Sequence, residues 1–190
     1  MLRGLLDAAQ LDPIAILRKH AKSDHTFRIL LVHSHMVAAK ALAIATRASI
    51  EVDLPFVAQA TLLHDIGIVA THAPDLGCTG SAPYIMHGVL GREILEGEGL
   101  LRHALVCERH TGLGITKEDI RRQGLPLPER DLCPVTPEEH LICLADKFFS
   151  KNPQALTQEK SLTEVRAEAD RFGPANRQAL EALLRHFDVL

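Results

Sequence analysis

Tryptophan is absent, and one tyrosine and six phenylalanines leave the aromatic share at 4% of 190 residues. The core must therefore come from Leu, Ala, Ile and Val, and a hydrophobic fraction of 46% is enough to build it. Chains rich in Ala and Leu favour helices. The alternation of β-branched residues that marks half-buried strands is scarce. The four cysteines, Cys78, Cys107, Cys133 and Cys143, form no C-x-x-C pair and read as small core residues. The N-terminus, Met1 to Asp7, is too short in apolar run for a signal peptide, so a cytoplasmic protein is expected. No run of about 18 uncharged apolar residues occurs, so no membrane span is expected. A net charge of -3 and the lack of a basic block argue against a nucleic-acid polymer as partner. A small charged substrate is not excluded, because net charge says little about one pocket.

The length fits one domain. Asp12-Pro13 is an N-cap acid followed by proline at the first helical position, which predicts a helix to about Lys22. Thr26 to Arg47 reads as a long central helix, apolar nearly all round. A third helix runs from about Leu54 to Asp65, with Gly67 as its stop. Thr71 to Pro83 carries Gly and Pro turn signals and reads as a loop of functional length. Helices follow over Tyr84 to Glu96 and Leu100 to His110, with a short one from Thr116. Gln123 to Pro137 holds four prolines and is expected to be irregular. Thr136-Pro137-Glu138-Glu139 is a capping box opening a helix to about Phe149, and Ser161 to Glu164 is a second box. Gly173-Pro174 separates two amphipathic C-terminal helices. With no repeat and no interdomain linker, the expectation is an all-α, single-domain helical bundle over 1-190.

Histidine is the abundant exception, with eleven residues spread along the chain. His64-Asp65 closes the apolar run Val57 to Leu63, where an imidazole and a carboxylate are costly to bury unless paired or metal-bound. His33, His87, His103, His110 and Asp146 also lie in or beside apolar helical runs. Taken singly, a buried histidine is more often a hydrogen-bonded core residue than a ligand. His33 and His35 point about 200° apart on a helix, so they cannot both serve one site, and both faces are apolar. His103 and His110 share a face two turns apart, and spacing alone does not choose between them either.

The order His, His-Asp, Asp resembles the HD-domain metal-dependent phosphohydrolases, in particular the subgroup with a His-Asp-Ile-Gly run. His33-Ser34-His35-Met36-Val37-Ala38 is similar to the family's His-Ser-x-x-Val-Ala pattern, which selects His33. Leu63 to Gly67 matches Leu-His-Asp-Ile-Gly, and Ala145-Asp146 matches the late Ala-Asp pair. The resemblance covers about Phe27 to Lys151 and implies an HD-type bundle with a metal-site core at about 27-151 and C-terminal helices over 152-190. Some HD proteins carry two added histidines and resemble dinuclear sites; His87 and His110 stand in those places. The resemblance thus implies one metal on His33, His64, Asp65 and Asp146, and a second on His87 and His110 with Asp65 bridging. His103 is then a neighbour. Two divalent transition metals are expected, and this donor set suits Fe, Mn, Zn, Co or Ni. Such a pair can clamp both oxygens of a phosphoryl transfer.

Asp65 and Lys147 are the candidate catalytic residues. Lys147, Arg109 and His72 are candidates for binding the substrate, with Arg92 a further phosphate candidate; a salt bridge or an exposed loop is the competing reading for each. Many relatives carry a lysine after the His-Asp-Ile-Gly run, where this chain has Ile68, and the Gly-Tyr-Pro signature is absent. That argues against cyclic-dinucleotide hydrolysis of the HD-GYP type and leaves the leaving-group acid unassigned. The expected activity is metal-dependent hydrolysis of a small phosphorylated substrate, a nucleotide or dinucleotide; the ligand order also resembles HD-type diadenosine tetraphosphate hydrolases. The alternatives are a di-iron HD-type oxygenase and a nucleotide-binding regulatory domain. A homodimer is a candidate assembly.

Overall fold

The computed structural model describes residues 11–48 and 50–189, so the reading of Met1 to Asp7 lies outside the described residues. Helix α1 spans Pro13–His20, with Asp12 capping it by accepting from the Ala15 N–H. Helix α2 spans Asp24–Arg47. It begins before Thr26 because the Ser23 hydroxyl accepts from the Thr26 N–H and sets the start. By length and apolar character α2 resembles a membrane span. Eleven of its residues are nevertheless buried, His33 and Ser34 among them, and its neighbours are other helices.

Helix α3, Leu54–Leu63, is shorter than its apolar pattern predicts. Its backbone tightens into a 3-10 turn over Ile66–Ala70, and Gly67 lies inside that turn rather than ending a helix. The glycine has another reason to be there. A Cβ on Gly67 would lie 1.9 Å from the His87 carbonyl oxygen and 2.3 Å from the Gly91 nitrogen, so the two backbones touch. The expected loop over Thr71 to Pro83 holds a two-stranded antiparallel ribbon, β1 His72–Ala73 with β2 Cys78–Thr79. Gly77 turns it in a left-handed conformation.

Helix α4, His87–Gly97, starts only after a 3-10 turn over Tyr84–Met86. Helices α5, Leu101–Arg109, and α6, Lys117–Gln123, follow. Helix α7, Pro137–Asp146, is capped by Thr136, but its box is incomplete. The Glu139 carboxylate accepts from the Val135 N–H and from Arg109 instead of the Thr136 N–H. Both halves of the Ser161–Glu164 box form at the start of α8, Leu162–Arg171, and α9 spans Pro174–His186.

Two apolar clusters meet along α2. One joins Val37 and Ile44 to Val57, Leu141, Ala145 and Phe148, and the C-terminal helices add Val165 and Leu184. The other joins Leu17, Ile29 and Leu30 to Leu63, Ile66, Leu95 and Cys107. His33 sits between Leu30 and Val37 on α2, and His64-Asp65 between Leu63 and Ile66, so the polar residues occupy the seam.

Candidate metal centre

Five segments deliver six buried side chains to this seam. His33 comes from mid-α2, and His64 and Asp65 from the turn after α3. His87 opens α4, His110 follows α5, and Asp146 ends α7. They form two groups that share Asp65. Asp65 Oδ2 lies 3.3 Å from His33 Nε2 and 3.1 Å from His64 Nε2. Asp146 Oδ1 closes this group, 3.0 and 3.5 Å from the same two nitrogens. Asp65 Oδ1 faces the other way, 3.3 Å from His110 Nε2 and 3.6 Å from His87 Nε2. Those two imidazole nitrogens are 3.2 Å apart.

Three rings are oriented by their own backbone. The Nδ1–H of His64 donates to the Thr61 carbonyl at 2.6 Å, that of His87 to Tyr84 at 2.8 Å and that of His110 to Cys107 at 2.8 Å. Each carbonyl lies three residues back, where the end of a helix or turn leaves an acceptor free. A ring held this way aims Nε2 into the site, the outer-sphere arrangement usual for ligating histidines.

The same atoms show that a metal fits. Among the described residues, both Asp65 oxygens and His64 Nε2 are buried with no aligned hydrogen-bond partner. Orphaned atoms of this kind are expensive in a dry interior. Converging nitrogens and carboxylate oxygens are the donors a divalent transition metal takes.

Charge differs between the two groups. Burial works to lower His64, but Asp65 and Asp146 override it and raise the imidazole to about 9. Burial works to raise both carboxyls. His64 and Lys151 hold Asp65 well below the usual carboxylate range, and Lys151 and Lys147 do the same for Asp146. In the second group, burial and the facing His110 lower His87 to about 3, and burial lowers His110 as well.

The other residues singled out from the sequence are scattered. Lys147 Nζ lies 3.2 Å from Asp146 Oδ2. Arg109 turns away from its neighbour His110 and pairs with Glu139 at 3.1 Å. Arg92 is likewise committed, to Glu108 and Glu96. His72 is exposed and lines an open cleft of about 950 Å³ together with Asp75, Tyr84, Lys151 and Lys160. His35 bonds the Leu31 carbonyl of its own helix, and His103 lies 3.3 Å from Gln59 Oε1. Lys151 is the functional candidate that sequence reasoning missed. Its ammonium is 2.8 Å from Asp65 Oδ2 and 3.5 Å from Asp146 Oδ1. It approaches as a point charge rather than as an aligned hydrogen bond. Nothing local marks it, since Phe149-Ser150-Lys151-Asn152 reads as an ordinary loop.

The HD domain family model matches residues 30–150. The chain belongs to the HD-domain family. HD domains bind divalent metals, and the family consists in general of metal-dependent hydrolases. This HD domain is 39% identical over 132 residues to an uncharacterized protein of Methanocaldococcus jannaschii, which covers 69% of this chain and 70% of that one. It is 34% identical over 130 residues to a tRNA (cytidine(56)-2'-O)-methyltransferase of Picrophilus torridus, 68% of this chain and 34% of the relative. A methyltransferase of the same name from Thermoplasma volcanium is 30% identical over 145 residues, 76% of this chain and 37% of the relative. The match thus spans about a third of the length of these two methyltransferases. No solved structure matches the chain significantly.

Proposed function

We propose that this HD domain is a dinuclear-metal phosphohydrolase acting on a small phosphorylated substrate, a nucleotide or dinucleotide. The observation that carries the reading is the split of Asp65, with Oδ2 facing His33, His64 and Asp146 and Oδ1 facing His87 and His110. A carboxylate placed this way would be shared by two metals, one held by each group. Two metals held there would supply water activated near neutral pH and a clamp on the attacking and leaving oxygens.

The chain's own residues do the rest. His64, His87 and His110 keep their rings fixed through backbone carbonyls, so the donor geometry is set before any ligand arrives. Asp65 holds the two halves in register. Lys147, beside Asp146, orients that carboxylate and adds positive charge at the same end of the site. The cleft bordered by His72, Lys151 and Lys160 offers positive charge to a phosphate, and Tyr84 forms its wall against the His87 ring. Arg109 is left out of this role because Glu139 already neutralises it.

The methyltransferase relatives are named for chemistry on a tRNA nucleotide, which puts nucleotide-derived phosphates first in a substrate screen. The deciding experiment is metal analysis of anaerobically purified protein, followed by phosphate release from mono- and dinucleotides with Mn, Co or Fe. Two metals per chain and phosphate release without oxygen uptake are expected. Oxygen uptake with a carbon substrate would replace the reading by a di-iron oxygenase, and nucleotide binding without turnover by a regulatory domain.

A further inference from the structure

Lys151 touches the centre from outside the ligand set. The oxygens it faces, Asp65 Oδ2 and Asp146 Oδ1, are the same two that His33 and His64 face. A metal in the first group would take both. An ammonium and a dication compete for one buried carboxylate pair, since unit charges a few ångströms apart repel by several kcal/mol even at an intermediate dielectric. The dication, with twice the charge, has the stronger hold on the oxygens. Lys151 has a way out, because its side chain is 16% exposed and borders the open cleft.

The opposite need is equally plain. Without Lys151, Asp65 and Asp146 would face each other in a dry seam, with His64 beside both and Lys147 beside Asp146 alone. Two carboxylates so placed repel. Lys151, within 3.5 Å of one oxygen of each, draws both toward a single point.

We propose that Lys151 is a built-in counter-cation that exchanges with the metal. It holds Asp65 and Asp146 in ligand geometry while the metal is absent, then yields both oxygens and moves its ammonium into the cleft. It is a positioning residue, and the role does not depend on the identity of the substrate. Metal loading is thus a cation exchange. The ligand set binds its first metal less tightly than its donors alone would allow, and in return the site stays assembled when empty.

A lysine that serves only as a structural tie makes the opposite forecast, because removing it slackens the carboxylates and weakens metal binding. Calorimetric titration of Mn(II) into the metal-free full chain separates the two. For Lys151→Gln, the expected result is a lower melting temperature without metal together with Mn(II) binding about tenfold tighter, a modest fraction of the charge repulsion removed. Lys151→Arg keeps the charge and should track the wild type. Unchanged or weaker Mn(II) binding by Lys151→Gln overturns the proposal. Should that variant fail to fold, acetylation of the wild-type chain read by mass spectrometry gives an independent answer. Lys151 should label about tenfold faster in the Mn-loaded protein than in the metal-free protein, and equal rates would overturn the exchange.

Discussion

The two halves of the candidate metal centre share one aspartate and differ in almost everything else. The His33–His64–Asp146 half holds two carboxylates, a histidine raised to about 9 and two lysines within 4 Å of its oxygens. The His87–His110 half holds two imidazoles lowered by burial, and among the described residues its nearest charge is Asp65 Oδ1. The first half is an ion cluster that is nearly balanced without metal. The second is a neutral pair with its donor nitrogens face to face. A dication gains more from two carboxylates than from two neutral rings. The second half should depend on the first through Asp65, the donor they share.

The hardest blow to this comparison is Asp65→Ala, which removes a donor from both halves at once. Metal content should fall to near zero, and phosphate release by at least about 10³-fold, the scale of losing transition-state charge stabilisation. A fully metallated, active Asp65→Ala protein would end the dinuclear assignment. His110→Ala should separate the halves. One metal per chain is expected to remain by elemental analysis, with activity down about 10²-fold; a metal-free variant would mean that the halves are one unit.

Acid and base should act on the halves in opposite directions. In the metal-free protein His87 stays neutral down to about pH 3, whereas an unfolded histidine takes a proton near 6.5. The unfolded chain then binds more protons, so stability falls as pH drops from 6.5 toward 3. His64, raised to about 9, contributes stability that is complete below 6.5 and is lost as pH rises through 9. Urea unfolding at stepped pH reads both slopes, and His87→Gln should lessen only the acid one, to which the lowered His110 and His103 also contribute. A smaller effect is expected from packing. In Gly91→Ala the new Cβ would lie 2.1 Å from Cys107 Sγ. That should cost about 1–3 kcal/mol of stability and loosen α4 against α5. Metal affinity should weaken in the His87–His110 half and hold in the other.

Much of the fold was legible in local chemistry. Asp12-Pro13, the Ser161–Glu164 box and Gly173-Pro174 mark element ends where the structure has them, because caps and prolines act over three or four residues. The miss at Thr136 has the same cause read the other way. Glu139 found Val135 and Arg109 as partners, and Arg109 arrives from α5, thirty residues upstream. Gly67 was visible as a glycine, but its reason is the backbone of α4 pressed against it. Arg109 sits next to a candidate ligand, His110, in the chain, yet about 100° per residue aims it elsewhere on its helix.

The sequence by itself determined the helical class and the types and order of the donors, because hydrophobic periodicity, capping and the residues able to bind a metal are local properties. It could not choose His33 over His35 by periodicity, since both faces of α2 are apolar. Tertiary structure made that choice by turning His33 toward Asp65 and Asp146 and leaving His35 on its own helix carbonyl. Tertiary structure alone also divided the two oxygens of Asp65 between the halves and brought in Lys151. Those facts depend on where five separate segments cross, and a charge from a loop reaches a buried carboxylate only once the chain has folded around it.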